Sequence, residues 1–374
     1  MSKKLLYIVN SSGYFMSHRS DIATAARKQG YIIYVASPKD KITKEIESKG
    51  FIHQNIYLSR SSRRLFSELK TIMSLYKVIQ RVKPDLIHLI TIKPVIYGGI
   101  ITSLLKIKGT VSSVPGLGFS YISEGAKASF FRCFLSFLYR LAFRNRSLKV
   151  IFQNNDDLRL LSKNTGLSKD KIVLIKGSGV NLSKFDYKPV PEGKPIVSMA
   201  SRLQRDKGVI EFFEAAKSLK EKGVEAEFNF IGALDSDYAS VIPEKDILEW
   251  RRRKIINFLG QSNDINLLFQ QSSIVVLPSY REGFPKVLQE AAACGRAIIT
   301  SDVPGCRDAV KDGVTGLLVK PKDPNALAEK IEYLLSNDHL LDQMGKEARK
   351  LAEKEYSIDE VIKIHLKIYK SFNE

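Results

Sequence analysis

The chain has 374 residues, 44% apolar and 26% charged, long enough for two domains with cores of their own. No apolar run approaches the roughly 18 residues that a membrane span needs, and three cysteines (Cys133, Cys294, Cys306) fit neither a disulfide framework nor a metal-ligand spacing, which suits a reducing cytoplasm. The net charge of +19 is lopsided: residues 1–190 hold 32 Lys and Arg against 11 Asp and Glu, a local +21, and the remainder sums to −2, so the first half is expected to face an anionic surface.

In chain order, LLYIVN reads as a first buried strand, its apolar run too short for a signal sequence. A loop, Asn10 to Phe15 with Gly13, follows it, and residues 17–29 read as a helix with Ser17 as cap. The loop lacks G-x-G-x-x-G, so a dinucleotide site is not supported. His18 reads either as a buried neutral ring or as a contact for an acceptor phosphate. YIIYVAS is the second strand, and DLIHLITIKP supplies a third, with His88 in it and Lys93 at its end as a phosphate or acceptor contact. VIFQNN continues the series. The Gly-, Pro- and Lys-rich stretch 186–194 is the expected linker. Then PIVSMAS, EFNFIGA, INFLG, IVVLPS, AIITS and GLLVK start a second alternating series, and residues 356–372 form a last helix. Alternation of this kind implies parallel sheets with helices on both faces. The expected division is 1–188, 189–355 and a terminal helix 356–374.

Two helices of the first half carry a sharper signal. On 61–82, Arg63, Lys70, Lys77 and Arg81 recur at helical spacing among Leu65, Phe66, Leu69, Met73 and Tyr76. On 127–146, Arg132, Arg140 and Arg144 line a stripe among Phe130, Phe131, Phe134 and Phe137. Each reads as a core helix with a solvated face or as an interfacial helix on anionic lipid. Nucleic acid is the weaker partner, because no recognition motif accompanies the charge.

The chemistry concentrates in PSYREGFPKVLQEAAACGRAIITSDVPG, residues 278–305. It reads as the end of a strand, a glycine loop, a helix with Pro285 at its first position, a stop at Gly295 and another strand. Ligands of such units bind beyond the strand's carboxyl end, at the helix N-terminus. Glu282 and Glu290 lie eight residues apart, about 800° of helical turn, which puts them at similar angles. A carboxylate can accept two hydroxyls of a sugar diol, and the backbone amides of Gly283, Phe284, Pro285's successor Lys286 and their neighbours suit phosphate. Upstream, Arg202 and Lys207 flank a turn after PIVSMA, a fork and a point charge for a diphosphate.

Glu282-Gly283-Phe284-Pro285, Glu290, Ala291, Cys294-Gly295, Asp302 and Gly305 resemble the E-x7-E signature of family 4 retaining glycosyltransferases. Nearly the whole chain shares the resemblance, most strongly after residue 195. It implies an α/β, GT-B architecture: two doubly wound Rossmann-like domains facing a cleft, with the last helix returning to the first domain. It further implies that Arg202 and Lys207 grip the diphosphate of a UDP-sugar donor, that Glu290 takes the ribose hydroxyls, that Glu282 sits by the donor sugar, and that Gly232 and its loop hold the base. Many relatives carry a histidine in the loop 114–119. This chain has Gly116-Leu117-Gly118, as do transferases that extend undecaprenyl-diphosphate-linked sugars, α-1,3-N-acetylgalactosaminyltransferases among them. The implied partners are therefore the UDP-sugar, an undecaprenyl-diphosphate-linked acceptor at His18, Lys93 and Gly118, and the inner-membrane surface from the cytoplasmic side. Gly13 stands where relatives often have two glycines. No cofactor is expected: Asp235-Ser236-Asp237 is a poor metal site, and Arg202 and Lys207 stand in for a cation. The alternatives are another UDP-hexose or acceptor, a UDP-sugar 2-epimerase, and a basic binding module with a dead site.

Overall fold

The computed structural model describes residues 3–59, 65–117, 125–232, 240–262 and 264–372. The chain divides into two compact units, Met1–Ser178 with Asp359–Glu374, and Gly179–Ile358. Among the described residues the first unit holds seven strands: β1 Lys4–Ile8, β2 Ile32–Ser37, β3 Ile52–Asn55, β4 Leu86–Ile90, β5 Thr110–Val114, β6 Leu148–Phe152 and β7 Ile172–Leu174. They form one sheet in the order β3-β2-β1-β4-β5-β6-β7, parallel throughout. The second unit holds β8 Ile196–Ala200, β9 Glu227–Ile231, β10 Asn257–Gly260, β11 Ile274–Leu277, β12 Ala297–Ser301 and β13 Gly316–Val319. Their order is β10-β9-β8-β11-β12-β13, again parallel. Every residue of β4, β5, β11 and β12 is buried, as parallel strands covered by helices on both faces require. Each unit has its own apolar core. In each sheet the strand order reverses beside one strand, β1 in the first and β8 in the second. A crevice opens at the carboxyl ends there, where doubly wound sheets bind ligands.

Several expectations need correction. The boundary falls between Ser178 and Gly179, not at 188, because the supposed linker is packed into the second unit. Gly179 N–H donates to Gln289 Oε1 at 3.1 Å and Val180 N–H to Tyr356 O at 2.8 Å, and within the expected linker Asp186 O accepts from Gln270 Nε2 at 3.3 Å and Lys188 N–H donates to Cys294 O at 3.5 Å. The first helix runs Ser12–His18, so Gly13 is helical rather than in a loop, and a second helix runs Ser20–Lys28. Ser11 caps the first through its side chain. Ser17 is no cap; its hydroxyl donates to Gly13 O at 2.8 Å. His88 is in the fourth strand, since β3 was not expected.

The terminal helix, Ile358–Lys370, is amphipathic and buries Val361, His365, Ile368 and Tyr369. Beneath it lies a polar cluster of the first unit. His88 bonds Tyr369 Oη and Ser113 Oγ, each at 2.7 Å, and Tyr369 Oη is 3.0 Å from Tyr7 Oη. His365 Nδ1–H donates to Val361 O at 2.7 Å, and its ring lies 5.7 Å from that of His88. Burial holds His88 well below the usual histidine range, aided by His365 and Arg19. Burial, with Arg19 adding to it, pushes His365 from 6.5 down to about 3.

These shifts give a signed prediction. Both rings are neutral when folded and charge when exposed, so below the ordinary value of 6.5 the unfolded chain binds more protons. Their stabilising share is full above 6.5 and is lost as pH falls toward 3. Urea unfolding of the first unit at stepped pH should show this loss, and His365→Gln should make the acid slope shallower. An unchanged slope in that variant would remove His365 from the account.

Candidate active site

The second unit's crevice is assembled from the ends of β8 and β11. After β8, Ser201 N–H donates to Ile231 O at 3.0 Å. Gly232, at φ 155°, passes so close that a Cβ there would sit 1.8 Å from Ser201 O; no other residue fits. Arg202 follows, and one 3-10 turn, Arg205–Lys207, ends on Gly208 at φ 77°. A Cβ on Gly208 would meet Pro278 O at 2.2 Å, so this glycine lets the loop after β8 lie against the loop after β11. Tyr280 N–H donates to Asp206 O at 2.9 Å and ties the two together.

That contact delivers the central pair. Lys207 Nζ lies 2.6 Å from Glu282 Oε1, with side chains only 15% and 14% exposed. Ser279 Oγ donates to the same carboxylate oxygen at 2.8 Å. Glu282 Oε2 accepts no hydrogen bond from the described residues, which leaves it for a hydroxyl donor. The loop is backed by a second turn. Glu282 N–H donates to Pro304 O at 3.2 Å, and Gly305, at φ 81°, abuts the carbonyl oxygens of Glu282 and Gly283. Asp302 points outward and pairs with Arg307 at 2.7 Å.

Phe284 is buried, its ring 5.5 Å from that of Tyr356. The helix then runs Lys286–Ala293. Pro285 is extended at φ −70°, ψ 122° and is the N-cap, so the helix starts one residue later than expected. Glu282 is therefore outside the helix, and the angular argument linking it to Glu290 fails: no helical phase runs between them. Lys286 Nζ lies 3.5 Å from Glu290 Oε1 instead. Burial raises the Glu290 carboxyl above its ordinary value, with Lys286 opposing. Gly295, at φ 73°, stops the helix as expected.

Sequence reasoning missed one partner set here. Tyr280 Oη donates to Glu211 Oε1 at 2.6 Å, and Lys322 lies 5.0 Å over the Tyr280 ring. Burial and the Glu211 carboxylate both raise the Tyr280 hydroxyl. Glu211 sits in the first turn of the helix Val209–Glu221, and no local signal pointed to its partner.

The second unit thus brings together Arg202, Lys207, Gly232, Glu282, Gly283, Phe284, Pro285, Lys286 and Glu290. The remaining candidates lie in the first unit. His18 ends its helix stacked on Tyr14 at 4.2 Å, with Nδ1 2.6 Å from Ser17 Oγ. Lys93 Nζ is 2.6 Å from Glu68 Oε1 and donates to Ser59 O at 2.9 Å. Gly118 and Asp235-Ser236-Asp237 lie outside the described residues. Among the described residues no group of three or more His, Cys, Asp or Glu could hold a metal ion, and no helix is long and apolar enough to cross a membrane.

A family model described as "Glycosyl transferases group 1" matches residues 182–351, and one described as "Glycosyl transferase 4-like" matches residues 4–154. The N,N'-diacetylbacillosaminyl-diphospho-undecaprenol α-1,3-N-acetylgalactosaminyltransferase of Campylobacter jejuni is 33% identical over 376 residues, 95% of this chain and 97% of that protein. The UDP-Gal:α-D-GlcNAc-diphosphoundecaprenol α-1,3-galactosyltransferase of Escherichia coli is 26% identical over 76% of this chain and 75% of its own. Among solved structures, an Anabaena protein, HepE, in complex with UDP superposes with TM-score 0.78 at 18% identity, covering 98% of this chain and 100% of that one.

Proposed function

The chain belongs to the group 1, family 4-like glycosyltransferases of GT-B fold, and from that premise we propose that it transfers a sugar from a UDP-sugar to a sugar carried on undecaprenyl diphosphate, with retention of the α configuration, in surface-glycan assembly. The observation that carries the reading is the Lys207–Glu282 pair, held at the strand-order reversal of the second sheet. Lys207 and Arg202 stabilise the charge that develops on the departing UDP diphosphate, a role that needs preorganised cations rather than a metal. Glu290 accepts the ribose hydroxyls, and Glu282 Oε2 accepts a donor-sugar hydroxyl. The acceptor hydroxyl attacks from the face the diphosphate leaves, and the leaving phosphate takes its proton. N-acetylgalactosamine is the favoured sugar, supported by what the Campylobacter relative is named for. Galactose is the second reading, supported by the Escherichia coli relative.

The acceptor requires work at a lipid surface, and we place the protein peripherally on the cytoplasmic face of the inner membrane. The helix Leu65–Val82 buries Leu75, Val78, Ile79 and Val82, yet leaves Phe66 87% exposed, with Leu65, Leu69 and Met73 also outward. The helix Ala126–Ala142 leaves Phe130 78% exposed, with Phe134 and Phe137 also outward. Aromatic side chains beside lysine and arginine on a basic unit suit anionic headgroups. Replacing Phe130, Phe134 and Phe137 together by serine should weaken sedimentation with phosphatidylglycerol vesicles about tenfold or more, since each phenylalanine buried is worth ~1.5–3 kcal/mol. Equal sedimentation of variant and parent would refute the membrane assignment.

The reaction itself is tested with UDP-GalNAc, UDP-GlcNAc, UDP-Gal and UDP-Glc, with and without a polyprenyl-diphosphate-linked N-acetylhexosamine, in EDTA. UDP release that needs one donor and the lipid together is expected. Release without acceptor, or only after a divalent cation is added, contradicts the proposal.

A further inference from the structure

The first unit has a crevice of its own, and its chemistry differs from that of the second. A cavity of about 260 Å³ opens where the first sheet's order reverses, at the carboxyl ends of β1, β4 and β5. Asn10, Leu58, Thr91, Lys93 and Pro115 are among its walls. At roughly 30 Å³ per water it has the volume of about nine waters, the scale of a single sugar ring.

Three irregularities converge on it. Thr91 is β-branched yet sits at φ 75°, a conformation that such residues avoid. It is held there by its own N–H to Ser113 O at 3.3 Å and by Val95 N–H to Thr91 O at 3.0 Å. The chain then makes a π-helical turn, Pro94–Gly98, in which a Cβ on Gly98 would sit 2.5 Å from Leu89 Cδ2. Strained residues and π turns cluster at ligand sites. Finally, Thr91 Oγ1 is shielded from solvent and has no hydrogen-bond partner among the described residues, an unusual state for the hydroxyl of a cavity-lining residue.

The charge of the wall decides what enters. Lys93 is the cation expected to hold an acceptor phosphate, but it is ion-paired with Glu68 at 2.6 Å, the two side chains 21% and 16% exposed. Tyr97 Oη donates to the other Glu68 oxygen at 2.7 Å, so both carboxylate oxygens are engaged on the protein side. Burial and that carboxylate raise the Tyr97 hydroxyl and keep it protonated as the donor. Among the described residues Lys93 is the charged group of the wall, and Glu68 behind it balances that charge. A diphosphate placed there would lose its hydration without a compensating charge, whereas sugar hydroxyls and an acetamido group lose little and find a hydroxyl and an amide.

We propose that this cavity is the subsite for the uncharged sugar ring of the acceptor, that Thr91 Oγ1 is a specificity-determining hydrogen-bond group for it, and that the Glu68–Lys93–Tyr97 set excludes phosphate. The proposal rests on the acceptor reading given above. Thr91→Val keeps the β-branch and volume and removes only the hydroxyl. With saturating donor and a polyprenyl-diphosphate-linked N-acetylhexosamine, its kcat/KM for acceptor is expected to fall about tenfold, with donor KM unchanged. Glu68→Gln unbalances Lys93, so inorganic pyrophosphate should become competitive against acceptor in that variant and not in the parent, whatever it does against donor. A Thr91→Val enzyme within twofold of the parent for acceptor, or a parent already inhibited competitively against acceptor by pyrophosphate, overturns the proposal while leaving the transfer reaction standing. A parent that transfers no sugar from any of the four donors refutes the underlying reaction instead.

Discussion

Replacing Lys207 with alanine is expected to lower kcat by on the order of 10²–10³-fold, the usual cost of removing one preorganised group that meets charge developing in the transition state. The fold should survive. Lys207 is at the end of a 3-10 turn rather than inside the core, and Glu282 keeps its bond from Ser279 at 2.8 Å. The stability cost should therefore fall below the 3–5 kcal/mol typical of breaking a fully buried pair. Glu282→Ala removes the other half of the same unit, so the two losses should not add: the double variant should be little worse than the worse single one. If Arg202 meets the diphosphate as proposed, the loss in Arg202→Ala should add to either. Near-parental turnover in Lys207→Ala, with circular dichroism unchanged, would detach the pair from the chemistry. Strict additivity of Lys207→Ala and Glu282→Ala would mean that the pair is structural.

Gly305→Ala should be a damaging change, and one that bears directly on the Glu282 loop. Its φ of 81° disfavours any Cβ, and that Cβ would stand 2.5 Å from the carbonyl oxygens of both Glu282 and Gly283. The left-handed conformation alone costs ~1–2 kcal/mol, and forcing backbone apart adds ~1–3 kcal/mol. Melting should drop by about 5–15 °C, since each kcal/mol moves a domain of this size ~2–4 °C. Because the strain bears on the Glu282 carbonyl, activity should fall at temperatures where the variant is still folded. A melting point unchanged within a degree or two would mean that the turn from Asp302 to Asp308 shifts freely and does not position the loop.

Much of this was legible in the residues. The unit from β11 to β12 announces itself because both strands are central, and central parallel strands are continuous apolar runs. Gly295 stops the helix between them by a backbone preference that sequence carries directly. What was illegible shares a cause. β3 and β7 are sheet-edge strands, short and half-exposed, so IHQN and IVL carry little pattern. β5, TVSSV, reads as polar yet is fully buried, and Ser113 bonds across the sheet to His88. Residues 186–194 look like a linker by composition, and contacts with Gln270 and Cys294, more than 80 residues away, make them part of the second unit. The partners of Tyr280 and Lys93 were hidden for the same reason: Glu211 and Glu68 are 69 and 25 residues distant.

The reaction product is the most direct test of the transfer. The protein should be incubated with its active UDP-sugar and a short polyprenyl-diphosphate-linked N-acetylhexosamine, and the lipid recovered for mass spectrometry and proton NMR. A lipid longer by one sugar, joined in the α configuration of the donor, is the predicted result. A β linkage, or a donor sugar released to water with the lipid unchanged, would contradict the central claim.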